Sequence, residues 1–159
     1  VWRRTRLERW MWLGETAFLA AGLYALFAPQ GLLGLHQRRP LSIAASALST
    51  PVEDGTPWTS LDAFRFWAPL DIALGSVRHN TALSLALDHN DRYELSFWDG
   101  PQRLGRVELA LAGDPPPPEG LINRHLRIPA AVAARGYDRL QLTPLSGDDR
   151  YAVAGLRLE

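Results

Sequence analysis

The densest run of groups able to hold a ligand or move a proton is Asp88-His89-Asn90-Asp91, which sets carboxylates, an imidazole and an amide side by side. Oxygen and imidazole donors this close together suit a cation. The spacing fits no EF-hand loop, however, and Asn and Asp are also the residues that tolerate turn backbone and bond their own main chain. A turn is therefore the expectation, here and at Asp148 and Asp149 after Gly147. His79 and His125 stand apart, with no recognisable partner.

Composition excludes several chemistries. All 17 basic residues are arginine, so a Schiff-base or P-loop lysine is ruled out. Cysteine is absent, which removes thiolate catalysis, disulfides and thiolate metal sites together. There is no GxSxG, HExxH, Gly-rich phosphate loop or CxxC. No catalytic residue, metal ligand or cofactor is assigned, because no spacing brings an acid, a base and a nucleophile together. The 17 basic and 17 acidic residues balance to zero, so nothing over the whole length recruits nucleic acid. The better binding candidates are Trp58, Trp67 and Trp98, with Asp99, His89 and Asp91 as polar companions, because aromatic faces beside carboxylates and amides are how sandwiches hold sugars.

The elements that must position these groups are mostly strands. Thr81 to Asp88 and Arg92 to Trp98 alternate, with Leu83, Leu85 and Leu87 on one face of the first and Tyr93, Leu95 and Phe97 on one face of the second. The His89-Asn90-Asp91 turn is expected to close them into an antiparallel hairpin. Trp98 has the opposite parity, so it should face outward. Leu104 to Leu111 continues a meander with Val107, Leu109 and Leu111 inward, and Asp114 to Pro118 reads as an exposed extended loop. Leu126 and Ile128 form another strand face. Pro129 then starts a short helical turn, AAVAAR, which Gly136 ends. Tyr137 to Thr143 and Tyr151 to Leu158 are late strands around the Ser146-Gly147-Asp148-Asp149 turn. In the last, Tyr151 and Val153 disagree in parity with Leu156 and Leu158, which predicts a bulge near Ala154-Gly155. Phe64 to Trp67 and Leu70 to Leu74 add one or two strands. The sum is seven to eight strands at sandwich spacing.

Upstream the chain is different. Trp10 to Leu35 is a largely apolar stretch in which Glu15 is the only ionisable residue from Trp10 to Ala28; it is preceded by Arg3, Arg4, Arg6 and Arg9 and carries Trp10 and Trp12 at its edge. About 20 apolar residues suffice to cross a bilayer core, and a basic flank marks the cytoplasmic side. A transmembrane helix is the expectation, with a buried helix of a soluble domain as the other reading. Glu15 is a boundary residue rather than an acid catalyst. Residues 1–39 are thus the basic flank and span, 40–58 a Pro- and Gly-punctuated linker with one short strand near Ile43, and 59–159 the β-domain. Numbering begins at Val1 rather than methionine, as expected of a piece of a longer protein.

The stretch from Leu70 to Leu158 resembles the galactose-binding-like, jelly-roll type of β-sandwich accessory domain. The pattern that carries this is Arg127-Ile128-Pro129, the helical turn, Gly136-Tyr137-Asp138, the strand Arg139 to Thr143, Ser146-Gly147-Asp148, and Tyr151 to Leu158. With the preceding span, the arrangement is also similar to the carboxy-terminal end of membrane glycosyltransferases that use lipid-linked sugars. Their catalytic carboxylates lie in early extracytoplasmic loops, which are not in this sequence, so no catalytic residue carries over. The resemblance implies a mainly β protein, an antiparallel sandwich after one helix, in the bacterial inner membrane with its β-domain periplasmic. It implies a glycan or lipid-linked sugar as ligand and packing on the rest of a larger membrane protein. The alternative is a structural or protein-interaction module with no small-molecule ligand.

Overall fold

Leu83, Leu85 and Leu87, together with Tyr93, Leu95 and Phe97, are all almost completely removed from solvent, as their alternation requires. They lie in a computed structural model that describes residues 40–109 and 120–159. The expected span at residues 10–35, Leu111 and the loop Asp114 to Pro118 lie outside the described residues. Among the described residues, no helix is long and apolar enough to cross a membrane.

The nine described strands are β1 (Leu41–Ala44), β2 (Phe64–Phe66), β3 (Leu70–Arg78), β4 (Ala82–Asp88), β5 (Arg92–Asp99), β6 (Gln102–Leu109), β7 (Leu121–Arg127), β8 (Tyr137–Ser146) and β9 (Tyr151–Leu158). They form two sheets, ordered β1-β3-β8-β5-β6 and β2-β9-β4-β7. All pairings are antiparallel except β1 on β3. One hydrophobic cluster takes side chains from both sheets, among them Ile72, Leu95, Phe97, Leu140 and Leu142 from the first and Phe66, Leu85, Tyr151 and Val153 from the second. The protein is therefore mainly β, with two sheets sharing one core in the manner of a sandwich.

Two expectations change. β4 and β5 are not a hairpin: β4 pairs with β7 and β9, whereas β5 pairs with β6 and β8. The residues from His89 to Asp91 do turn the chain, but they carry it from one sheet to the other, so the expected meander is reduced to the β5–β6 hairpin. Residues 40–58, expected as a linker, are built into the sandwich. The strand near Ile43 is β1, Leu48 at the end of a 3-10 turn is 1% exposed in the core, and Val52 and Trp58 pack on the outer face of the four-stranded sheet.

Punctuation elsewhere follows the residue chemistry. The short helix α1 (Ala130–Arg135) follows Pro129 and ends at Gly136, whose φ of 87° suits glycine. It buries Val132 and Ala133 and crosses the chain from β7 to β8, that is, from one sheet to the other. The β9 register slips between the Ser84–Arg157 and Ala86–Ala154 pairs, with Gly155 at φ 62°. This is the expected bulge, and it turns both Val153 and Leu156 into the core.

Candidate functional site

β2 is too short to have a hydrophobic run of its own, but its alternation is strict. Phe64 and Phe66 pack toward the core cluster, which puts Arg65 and Trp67 on the outer face. The β2–β9 register pairs Arg65 with Ala152 and Phe66 with Tyr151, and Trp67 and Arg150 flank the last pair where the two strands end. The outer face of β9 thus begins with Ala152 and Ala154, with Arg150 just before the strand. The two alanines leave room above the sheet, and the segment before β2 fills part of it: Val52, Trp58 and Ala63 pack on Ala86, Leu121, Ala152 and Ala154.

What remains open is a groove of about 460 Å³ along this edge. Trp58 and Trp67 line it, with Phe64 and Tyr151 adding aromatic surface and Arg65, Arg150 and Asp149 adding charge. Trp67 is 60% exposed, and Trp58 is half-buried with the Arg150 guanidinium 5.7 Å from its ring centroid. Asp149 holds a left-handed backbone at φ 65°, a conformation that Asp tolerates better than most residues. Its Oδ1 accepts a long 3.4 Å bond from the Tyr151 hydroxyl, whose pKa is raised, chiefly by burial.

Beneath the groove, Phe66, Tyr93 and Tyr151 form a triangle with ring centroids 5.9 to 6.1 Å apart, tying β2, β5 and β9 together. The Tyr93 hydroxyl donates to Asp91 Oδ2 at 2.9 Å. Asp91 is 2% exposed, and burial pushes its carboxyl up to about 6 despite that bond. Its other oxygen has no hydrogen-bond partner among the described residues. Gly147 lies close against that oxygen: a Cβ there would stand 1.8 Å from it. Asp88, 5% exposed, is likewise raised by burial.

His89 has a structural task at the same end. Its Nδ1 lies 3.3 Å from both the Gly120 N–H and Asp88 Oδ1, and a ring nitrogen serves one of them at a time. Protonated, Nδ1 donates to Asp88; unprotonated, it accepts from Gly120. Among the described residues, no three carboxylates or imidazoles converge as a cation site.

Of the six side chains singled out from sequence, Trp58 and Trp67 share the groove. His89 and Asp91 sit in the sheet-crossing turn at the same end, His89 bonded to Asp88 or Gly120 and Asp91 to Tyr93. Trp98 and Asp99 are at the opposite end of the sandwich, on the β5–β6 hairpin, and join neither group. Trp98 is on the outer face, as parity requires, but Arg139 lies across its ring and it is not an open platform. Arg65, Arg150, Phe64 and Tyr151 were not foreseen as site residues. The alternation Phe64-Arg65-Phe66-Trp67 was the available signal for an outward Arg65, but the β9 partner lies far along the chain. Compared with known protein families, characterised proteins and solved structures, the chain finds no match.

Proposed function

We propose that this chain is a non-catalytic, extracytoplasmic tail of a membrane protein, an accessory glycan-binding region of a membrane glycosyltransferase, built as a jelly-roll, galactose-binding-like sandwich. The observation that carries the reading is the convergence of Trp58 and Trp67 on one groove flanked by Arg65, Arg150 and Asp149. Sugar rings offer apolar C–H faces and a rim of hydroxyls, so they stack on indoles and bond to charged side chains beside them. A groove of about 460 Å³ is of small-ligand size. The galactose-binding-like type is supported by the crossing after Ile128-Pro129 and by the two late strands that follow. The membrane and its sidedness are supported by the apolar stretch 10–35 and the arginines before it, which by the positive-inside tendency leave the sandwich on the far side.

The test is calorimetric titration of the full chain, in detergent micelles, with a panel of neutral oligosaccharides, alongside Trp67→Ala and Trp98→Ala. Binding that Trp67→Ala abolishes and Trp98→Ala leaves intact is the expected outcome. A panel in which nothing binds, with the thermal unfolding of the chain intact, favours an interaction module instead.

A further inference from the structure

We infer that the ligand of the Trp58–Trp67 groove is an acidic glycan, one bearing a carboxylate or phosphate on the sugar; this rests on the reading of the groove as a sugar site. On the opposite sheet Arg139 is engaged by Asp71 at 2.9 Å, Arg106 by Glu94 at 2.9 Å and Arg92 by Glu108, whereas Arg78 donates to the Leu74 carbonyl instead. In the groove, Arg65 and Arg150 are both exposed, and neither has a carboxylate within ion-pair distance among the described residues. The stacking of Arg150 over Trp58 uses its charge and none of its N–H donors. Against these two cations the groove sets one carboxylate, Asp149.

A neutral sugar needs no guanidinium, since any polar side chain satisfies a hydroxyl. The planar fork of arginine matches a carboxylate or a phosphate with paired N–H bonds, and does so most strongly where a neighbouring ring excludes water from one side. Arg65 stands directly opposite Ala152, two residues along the chain from Arg150, so its cross-strand partner is only a methyl group.

The experiment titrates the full chain in detergent with an oligosaccharide of hexuronic acid, with its neutral methyl ester, and with inorganic phosphate, each at low and at physiological salt. The acid is expected to bind about tenfold tighter than the ester, the gain shrinking with salt. Arg65→Gln and Arg150→Gln should each shrink the acid-over-ester preference, whatever either does to the affinity for the ester. Arg65→Gln is the cleaner variant because it leaves the Trp58 stack in place. Equal affinity for acid and ester in the unaltered chain overturns the inference and leaves the sugar site standing. Failure of both oligosaccharides to bind overturns the sugar site and the inference with it. Phosphate binding as tightly as the hexuronate overturns the glycan part, since the anion alone would then account for it.

Discussion

Trp98 and Arg139 are directly paired across β5 and β8, and the guanidinium carbon stands 4.8 Å from the indole centroid. Arg139 also donates to Asp71 Oδ2 at 2.9 Å and to the Gly100 carbonyl at 3.1 Å. One side chain thus ties three strands and a hairpin turn on the outer face of the five-stranded sheet, where Gln141 adds a 2.8 Å bond to the other oxygen of Asp71. Replacing Arg139 with Ala removes charge-assisted bonds and the stack together and should cost about 2 kcal/mol. Denaturant unfolding measures that loss, and groove affinity should not change. A variant as stable as the parent would mean that the stack and both bonds are too solvated to matter.

Asp91 makes stability depend on pH in an unusual direction for a carboxylate. Its folded pKa, about 6, lies above the ordinary 3.8, so between those values the folded state holds more proton than the unfolded one. This contribution is fully present below pH 3.8 and is lost as pH rises through 6, a swing of about 3 kcal/mol. Asp88 and Asp148 add to the rise through their charge, while the Tyr93 hydroxyl opposes it. Asp91→Asn keeps an acceptor for Tyr93 and cannot ionise. It should therefore exceed the parent in stability at pH 7.5 and lose that advantage near pH 4. Unfolding curves for both proteins across this range decide the matter; parallel curves would mean that Asp91 titrates normally.

Gly147 and Gly155 both resist a side chain, for different reasons. At Gly147 the obstacle is space, since a Cβ would overlap the buried Asp91 oxygen at 1.8 Å. Gly147→Ala should cost about 2 kcal/mol or more, and part of that should vanish in an Asp91→Ala background, a coupling that a double-mutant cycle reads directly, the remainder coming from the φ of 158° and the Tyr151 ring 3.0 Å away. At Gly155 the nearest atom would be 3.7 Å away, so room is ample and the obstacle is the φ of 62°. Gly155→Ala should cost about 1 to 2 kcal/mol whatever its background, and Gly155→Asn less. If Gly147→Ala were equally costly with and without Asp91, the close approach would not be the cause.

The inward sets of β4 and β5 could be read from sequence because a period of two has only two faces and leucine marks one of them. The bulge at Gly155 was legible as a break of parity between Val153 and Leu156, and α1 through the Pro129 and Gly136 that bound it. What sequence could not supply is partnership. His89-Asn90-Asp91 shows that the chain reverses, but turn chemistry is the same whether the next strand pairs with the last or joins the other sheet. Residues 40–58 carry few large apolar side chains, so Leu48 and Val52 gave no sign of packing against strands far along the chain. The groove was hidden for a related reason. Trp58, Trp67 and Arg150 meet only because β9 returns to pair with β2, and nothing local to any of them encodes that register. Trp98 was placed outward correctly, yet its cover by Arg139 comes from β8, some forty residues away.

The parallel pairing of β1 bears on how the domain resists tension. Leu41 to Ala44 run alongside Leu70 to Ala73 in the same direction, and the Leu41 N–H begins the contact at the Pro69 carbonyl. A pull on Pro40 directed along β1, away from Ala44, drags the strand lengthwise past β3. Every bond of the pairing is then strained together rather than opened one after another. A peeling load would rupture them singly at low force. Under this lengthwise pull the first strand acts as a shear clamp, with Leu48 behind it as the wedge that must leave the core before the strand can slide.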